Sequence, residues 1–328
     1  MIGSGREKPV GAAGALQTFA RGRLISMELG VAQVRYLAKR QGGRGMRKKA
    51  WLAGFAFVLG TAAWAPADEW SHRYPLKGRP ELHLRTDDGS VRVEVGEGPE
   101  IEALVTTLGS RIAEGEVTIT ESQTGDRVSI EVRLPQRWNT GFGFKNRSVK
   151  LLVRVPREAD LDVRTGDGSV DVEPISGKVA IFTGDGDIAA QGLRGDIRLH
   201  TGDGSIKAEG LEGRLQADTG DGHMNVRGRF DALDLRTGDG HIEAEVERGS
   251  KVGEAWSLRS GDGGIVLRVP DDLAADLEAH TGDGHIELDS PVTVSGTVSR
   301  SDVRGKLGAG GAPLRLQTGD GPIRVARL

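Results

Sequence analysis

The chain has 328 residues, 50 of them Gly and none of them Cys, with 4% aromatic residues and a formal net charge of -3. Without Cys it has no disulfides, no thiolate metal centre and no lipoprotein anchor, and its high Gly content suits a protein with many tight corners. The charge is uneven: residues 1 to 67 hold 11 Lys/Arg against 2 Asp/Glu, leaving 33 against 45 in the rest, an acidic body that argues against nucleic acid or an anionic membrane as partner and suits cations or neutral glycans.

Residues 1–45 resemble nothing downstream and read as an extension ahead of the true start at Met46. Residues 46–67 read as a secretory signal. Arg47-Lys48-Lys49 is followed by an apolar run from Ala50 to Ala65, and Ala65-Pro66-Ala67 offers a cleavage site before Asp68. The apolar run is too short for a spanning helix, so no membrane insertion is expected after cleavage and the protein is placed outside the cytoplasm.

From Asp68 to Arg157 short alternating runs predict strands at Glu81 to Arg85, Ser90 to Val95, Ile101 to Thr107, Val117 to Thr120, Val128 to Leu134 and Lys150 to Val155. They lack a fixed period and are assigned to an irregular β cap and the first coils, residues 68–157. Within them, Gln136 to Arg147 is Gly-containing and carries Trp138, Phe142 and Phe144 among basic residues. We read it first as a loop folding back over the cap, and second as a ligand-binding loop for a glycan or an envelope protein.

Residues 158–328 carry a regular repeat. Thr-Gly-Asp-Gly recurs at Thr165, Thr183, Thr201, Thr219 and Thr237, 18 residues apart, then with looser spacing at Ser260, Thr281 and Thr318. With Thr as position 0, apolar residues fall at 5, 7, 10, 14 and 16, as in Ile206, Ala208, Leu211, Leu215 and Ala217. Two stretches of period-2 alternation predict two short strands per unit, too small to bury their apolar edges unless neighbouring units stack in register. The expected fold is therefore an all-β parallel β-solenoid of about 18 residues per coil. The Gly-Asp-Gly segment is expected to use positive φ at one corner, and Gly177, Gly195 and Gly213 mark the second. Glu245 to Trp256 and Pro270-Asp271-Asp272 read as loops, Val298 to Leu307 as a degenerate coil, and Leu314 to Val325 as the last coil, without a cap.

Stacking aligns Asp167, Asp185, Asp203, Asp221 and Asp239 along one edge. We read them first as corner residues whose carboxylates accept backbone N–H groups, with Arg164 and Arg236 softening their repulsion, and second as a row of calcium ligands. The Thr residues predict an inner hydroxyl ladder. His223, His241 and His285 recur just after Gly-Asp-Gly, at a position that also takes Ser, Asp and Pro, and read as an exposed, permissive site rather than a zinc site. No phosphate-binding Gly loop, nucleophile elbow or His-Glu-x-x-His is present, so the protein is expected to be no enzyme.

The Thr-Gly-Asp-Gly-x-Ile array, the strand ending in Val155-Pro156 and the leader together resemble the bacterial putative-adhesin family of β-strand-repeat domains over residues 80 to 328. The resemblance implies a β-solenoid exported to the cell envelope and supplies no catalytic residues or cofactor. It points to an adhesin-like binding or scaffold module. The alternatives are a structural protein that polymerises end to end through its C-terminal coil and, behind it, a carbohydrate-active enzyme.

Overall fold

The computed structural model describes residues 67–110, 112, 116–134, 148–289, 292–294 and 299–328. The extension at 1–45, the leader up to residue 66 and the loop with Trp138, Phe142 and Phe144 lie outside the described residues. Every regular element among the described residues is a strand. The N-terminal part holds β1 (Ala67–Pro75), β2 (Glu81–Thr86), β3 (Ser90–Val95), β4 (Glu100–Leu108), β5 (Thr118–Thr124), β6 (Arg127–Arg133) and β7 (Ser148–Val155). The regular repeats give β8 (Asp160–Thr165), β9 (Val170–Val172), β10 (Ser176–Thr183), β11 (Ile188–Gln191), β12 (Arg194–Thr201), β13 (Ile206–Thr219), β14 (Met224–Thr237) and β15 (Ile242–Val246). There follow β16 (Trp256–Ser260), β17 (Ile265–Val269), β18 (Ala275–Thr281), β19 (Ile286–Leu288), β20 (Val292–Val294), β21 (Asp302–Leu307), β22 (Pro313–Thr318) and β23 (Ile323–Arg327).

The architecture is all-β and solenoid-like. Strands ending on a corner Thr or Ser pair with one another in a first parallel row, and those following the corner pair in a second. In the centre the pairing is in register across the repeat: Thr183 lies beside Thr201, Thr201 beside Thr219 and Thr219 beside Thr237. Between the rows runs one apolar column in which Ile206, Ala208, Leu211, Leu215 and Ala217 are all buried, as are their counterparts in the adjoining coil. Each large aliphatic side chain so buried contributes roughly 1.5–3 kcal/mol.

The second corner breaks the chain between β9 and β10 and between β11 and β12, but not in the next two coils. β13 and β14 run through it as single 14-residue strands; in β13 Gly210 and Gly213 take φ +65° and +117°, and the pairing with β14 slips by one residue between Ala208 and Arg214. Gly195 takes the same conformation as Gly213, at φ +118°. The insertion after β15 is a loop as expected, but Trp256 belongs to β16, is fully buried, and donates from Nε1 to the Asp231 carbonyl at 3.4 Å.

Stacking order departs from chain order at both ends. β22 lies between β16 and β18, and β23 between β17 and β19, all parallel. The coil read as the last in the stack is thus next to last, and an assembly growing through it has no exposed coil face to use. Of the stretch from Val298 to Leu307 read as a degenerate coil, the described residues 299–307 form none. β21 lies antiparallel to both β18 and β20 and closes that end of the first row. At the opposite end β2 lies between β6 and β8, and β3 between β7 and β9. The antiparallel strands β5, β4 and β1 close that end.

β1 was not anticipated, although Trp70, His72 and Tyr74 alternate along it. Its Tyr74 is buried, and its hydroxyl donates to the Glu121 carboxylate of β5, which His72 Nδ1 also approaches at 3.4 Å. Burial first, and the carboxylate second, push the Tyr74 phenol well above its ordinary range. A raised folded pKa makes the contribution fully present below about pH 10, the ordinary tyrosine value, and lost as pH rises beyond it. The chain holds two tyrosines. In the protein from Asp68 onward Tyr74 is the one tyrosine, so in an alkaline titration followed by phenolate absorbance the signal is expected to appear only with unfolding, and Tyr74→Phe should abolish it. A full signal at the ordinary pH from the folded protein would contradict the buried placement.

Candidate functional site

The corner motif is built for close stacking. The Thr183 hydroxyl donates to the Gly168 carbonyl of the preceding coil at 2.9 Å and accepts the Gly186 N–H of its own corner at 3.2 Å. Thr201, Thr219 and Thr237 repeat both bonds, each donating to the second corner Gly one coil back at 2.8–3.0 Å. The bonds follow stacking order where chain order fails: Thr318 donates to Gly263, and Thr281 to Gly321. Ser260 donates to Gly240 at 2.8 Å, which is why Ser substitutes for Thr there.

The glycines of the corner do not adopt positive φ, contrary to the sequence-based expectation; Gly is required by proximity. A Cβ at Gly186 would collide with the Gly168 carbonyl and lie 2.8 Å from Thr183 Oγ1. Because backbone and hydroxyl close the turn, the corner does not depend on its Asp. Asp167, Asp185, Asp203, Asp221 and Asp239 are all exposed, and the last four carboxylates make no hydrogen bond with the described residues. Arg164 and Arg236 do not reach them; they pair with Asp162 at 3.0 Å and Asp234 at 2.8 Å on the outer face of the first row. Crowding is felt at Asp88, whose carboxyl is raised by burial first and by Asp167 and Asp87 next. Among the described residues no group of three or more His, Asp or Glu side chains converges as a cation site.

The residue after Gly-Asp-Gly is less permissive than it looked. Asp187 accepts the Ser205 N–H at 2.8 Å, His223 Nδ1 the His241 N–H at 3.0 Å, and His241 Nδ1 the Gly264 N–H at 2.7 Å. Each side chain thus accepts the N–H of the equivalent residue one coil on. With Nδ1 accepting, the ring proton of both histidines sits on Nε2, which leaves neither nitrogen open to zinc. The two rings stack at 5.3 Å and 4°. Gly264 offers no side-chain acceptor, and the residue stacked on it is Pro322, which has no N–H to satisfy.

The outer faces of the two rows differ in how their charges are used. On the second row Arg92 meets Asp171 at 2.9 Å, Lys207 meets Glu209, Arg227 meets Glu245 and Glu247, Arg268 meets Glu243, and Arg324 meets Asp289. On the first row the residues preceding each corner Thr align as Arg85, Arg164, Phe182, His200, Asp218, Arg236 and Arg259. Arg164 lies 5.0 Å over the Phe182 ring, and His200 flanks that ring at 6.1 Å. Arg85, Arg198 and Arg259 are exposed and have no ion-pair or hydrogen-bond partner among the described residues. A shallow cleft of about 360 Å³ opens at one end of this face, lined by His83, Arg85, Ser129, Glu131, Asp162 and Arg164. Beside it, Arg127 and then His83 hold the Glu81 carboxyl below the usual carboxylate range. No repeat marks this face in the sequence, because its outward positions vary from coil to coil.

Residues 80–326 match the family model described as Toastrack DUF4097. No curated protein matches the chain. Solved structures similar to it include a putative cell adhesion protein from Clostridium sporogenes, at 14% identity and TM-score 0.32, covering 80% of this chain and 100% of that one. A putative adhesin from Bacteroides fragilis matches at 11% identity and TM-score 0.38, covering 79% and 97%. A putative lipid binding protein from Parabacteroides distasonis matches at 12% and 0.39, covering 80% and 98%.

Proposed function

Because the chain belongs to the Toastrack DUF4097 family, we propose that it is an exported, non-enzymatic, adhesin-like binding or scaffold module of the bacterial cell envelope. We read its fold as a parallel β-solenoid wound at about 18 residues per coil, a reading supported by the in-register pairing of Thr183, Thr201, Thr219 and Thr237. The observation that carries the functional reading is the pair of strand rows whose outward side chains stand in register over a fully buried column. Such a surface is held rigid by the stack and so presents contacts without an ordering cost on binding. Glycans and envelope proteins are the partners it suits.

The test is fractionation of cells expressing the full chain, with N-terminal sequencing of the product. The expected result is recovery outside the cytoplasm with Asp68, the second residue of β1, as first residue. Retention in the cytosol with the leader intact would sink the reading.

A further inference from the structure

The outer face of the first row carries charge that the protein itself does not neutralise. Each carboxylate on its central stretch is engaged: Asp162 by Arg164, Asp234 by Arg236, Glu131 by Arg133, and Asp218 by the Gln216 amide at 3.3 Å. Arg85, Arg198 and Arg259 remain, exposed and unpaired among the described residues. The net acidity of the chain therefore says little about this face.

Their placement is regular. Arg85 on β2 and Arg259 on β16 each stand one residue before the corner, while Arg198 stands on β12, three strands from either along the stack and two residues further from its corner Thr201. At about 4.8 Å per strand, successive arginines are about 14 Å apart along the stack. A small anion could engage only one of them, whereas a polymer with regularly repeated charge can engage all three. Between the first two, Phe182 and Ala180 are half-buried on the same face, with Arg164 lying over the Phe182 ring. Arginine suits the task because its planar fork grips carboxylate or sulfate by two parallel hydrogen bonds.

We propose that this face binds an acidic polysaccharide laid along the stacking direction, with its carboxylate or sulfate groups on Arg85, Arg198 and Arg259. The proposal rests on the envelope-binding reading above and names the class of partner. Individually weak, exposed contacts sum because one chain holds all three, and the binding is salt-sensitive because ions are released from the polymer.

The experiment is a binding titration of the full chain with polygalacturonate and dextran sulfate, with neutral dextran, anionic phospholipid vesicles and duplex DNA alongside. Saturable binding to at least one acidic polysaccharide is expected, falling steeply with added salt. The triple variant Arg85→Glu, Arg198→Glu and Arg259→Glu should weaken it at least tenfold. Arg268→Glu, on the opposite face, should leave it unchanged. All four side chains are on the surface, so an unaltered thermal melt checks that the fold survives. Equal binding by the triple variant, equal binding of neutral dextran, tighter binding of vesicles or DNA, or no binding to either acidic polymer would overturn the proposal. Export, measured separately by fractionation, decides the envelope reading whatever these titrations return.

Discussion

Gly222→Ala is expected to lower the melting temperature by roughly 10 °C. The added Cβ would meet the Gly204 carbonyl of the coil below well inside van der Waals contact, and would lie 2.9 Å from Thr219 Oγ1. Neither neighbour can withdraw, because Gly204 is the acceptor for the Thr219 hydroxyl at 2.8 Å. Relief requires the two coils to part, which also strains the Thr219 bonds. Overpacking of this kind costs about 3 kcal/mol or somewhat more, and in a domain of this size each kcal/mol moves the melt by roughly 2–4 °C. Asp221→Ala, one residue away and exposed, is the matched control and should change stability by less than about 0.5 kcal/mol. A thermal melt followed by circular dichroism reads both. If the two variants melt alike, proximity is not the reason for Gly at this corner.

Deletion of residues 313–328 is expected to unfold far more than it removes. In chain order these residues are a terminal coil whose loss would shorten the stack by one layer. In space they separate β16 and β17 from β18 and β19. Leu314, Leu316, Ile323 and Val325 are all fully or almost fully buried, and losing four such side chains removes on the order of 6–12 kcal/mol of burial. That is comparable with the whole stability of a typical domain. Limited proteolysis of the truncated protein should therefore cut freely through residues 256–307 and spare the central repeats. A protected fragment reaching to β21 would contradict the observed stacking order.

Most of the central fold could be read from residues. Leu211, Leu215 and Ala217 announced their burial by spacing alone, because a two-residue alternation has one inward side. The Thr ladder was legible for the same reason, being in phase with positions 14 and 16. What escaped was anything that distinguishes one coil from another. Leu314 and Leu316 fit against β16 as well as against β18, since every coil carries the same inward pattern, and local sequence holds no label for which neighbour comes next. The corner glycines escaped in a different way. Their need is set by a carbonyl on the adjacent coil and not by their own φ, so a single repeat does not display it. The first-row face was hardest to see: Arg85, Arg198 and Arg259 are ordinary surface residues until the pairing of strands brings them onto one face and shows which of their neighbours already hold a counter-ion.

The two intercalated coils set an order in time. In the central repeats a Thr hydroxyl finds its partner 15 residues back, at Gly186 for Thr201 and at Gly204 for Thr219. At the ends Thr165 must find Gly89 across 76 residues, and Thr318 must find Gly263 across 55. Closing a longer loop costs more chain entropy before any contact rewards it, and non-local pairing slows folding. The middle of the protein is therefore the natural nucleus, and the two end coils close last, each sliding into a slot whose outer wall was made by a different part of the chain. Mutational φ-values higher at Leu215 than at Leu316 would be the kinetic signature. A chain emerging from one end cannot complete this fold by adding layers in sequence; it has to wait for its final residues before the layers at 256–289 have both their neighbours.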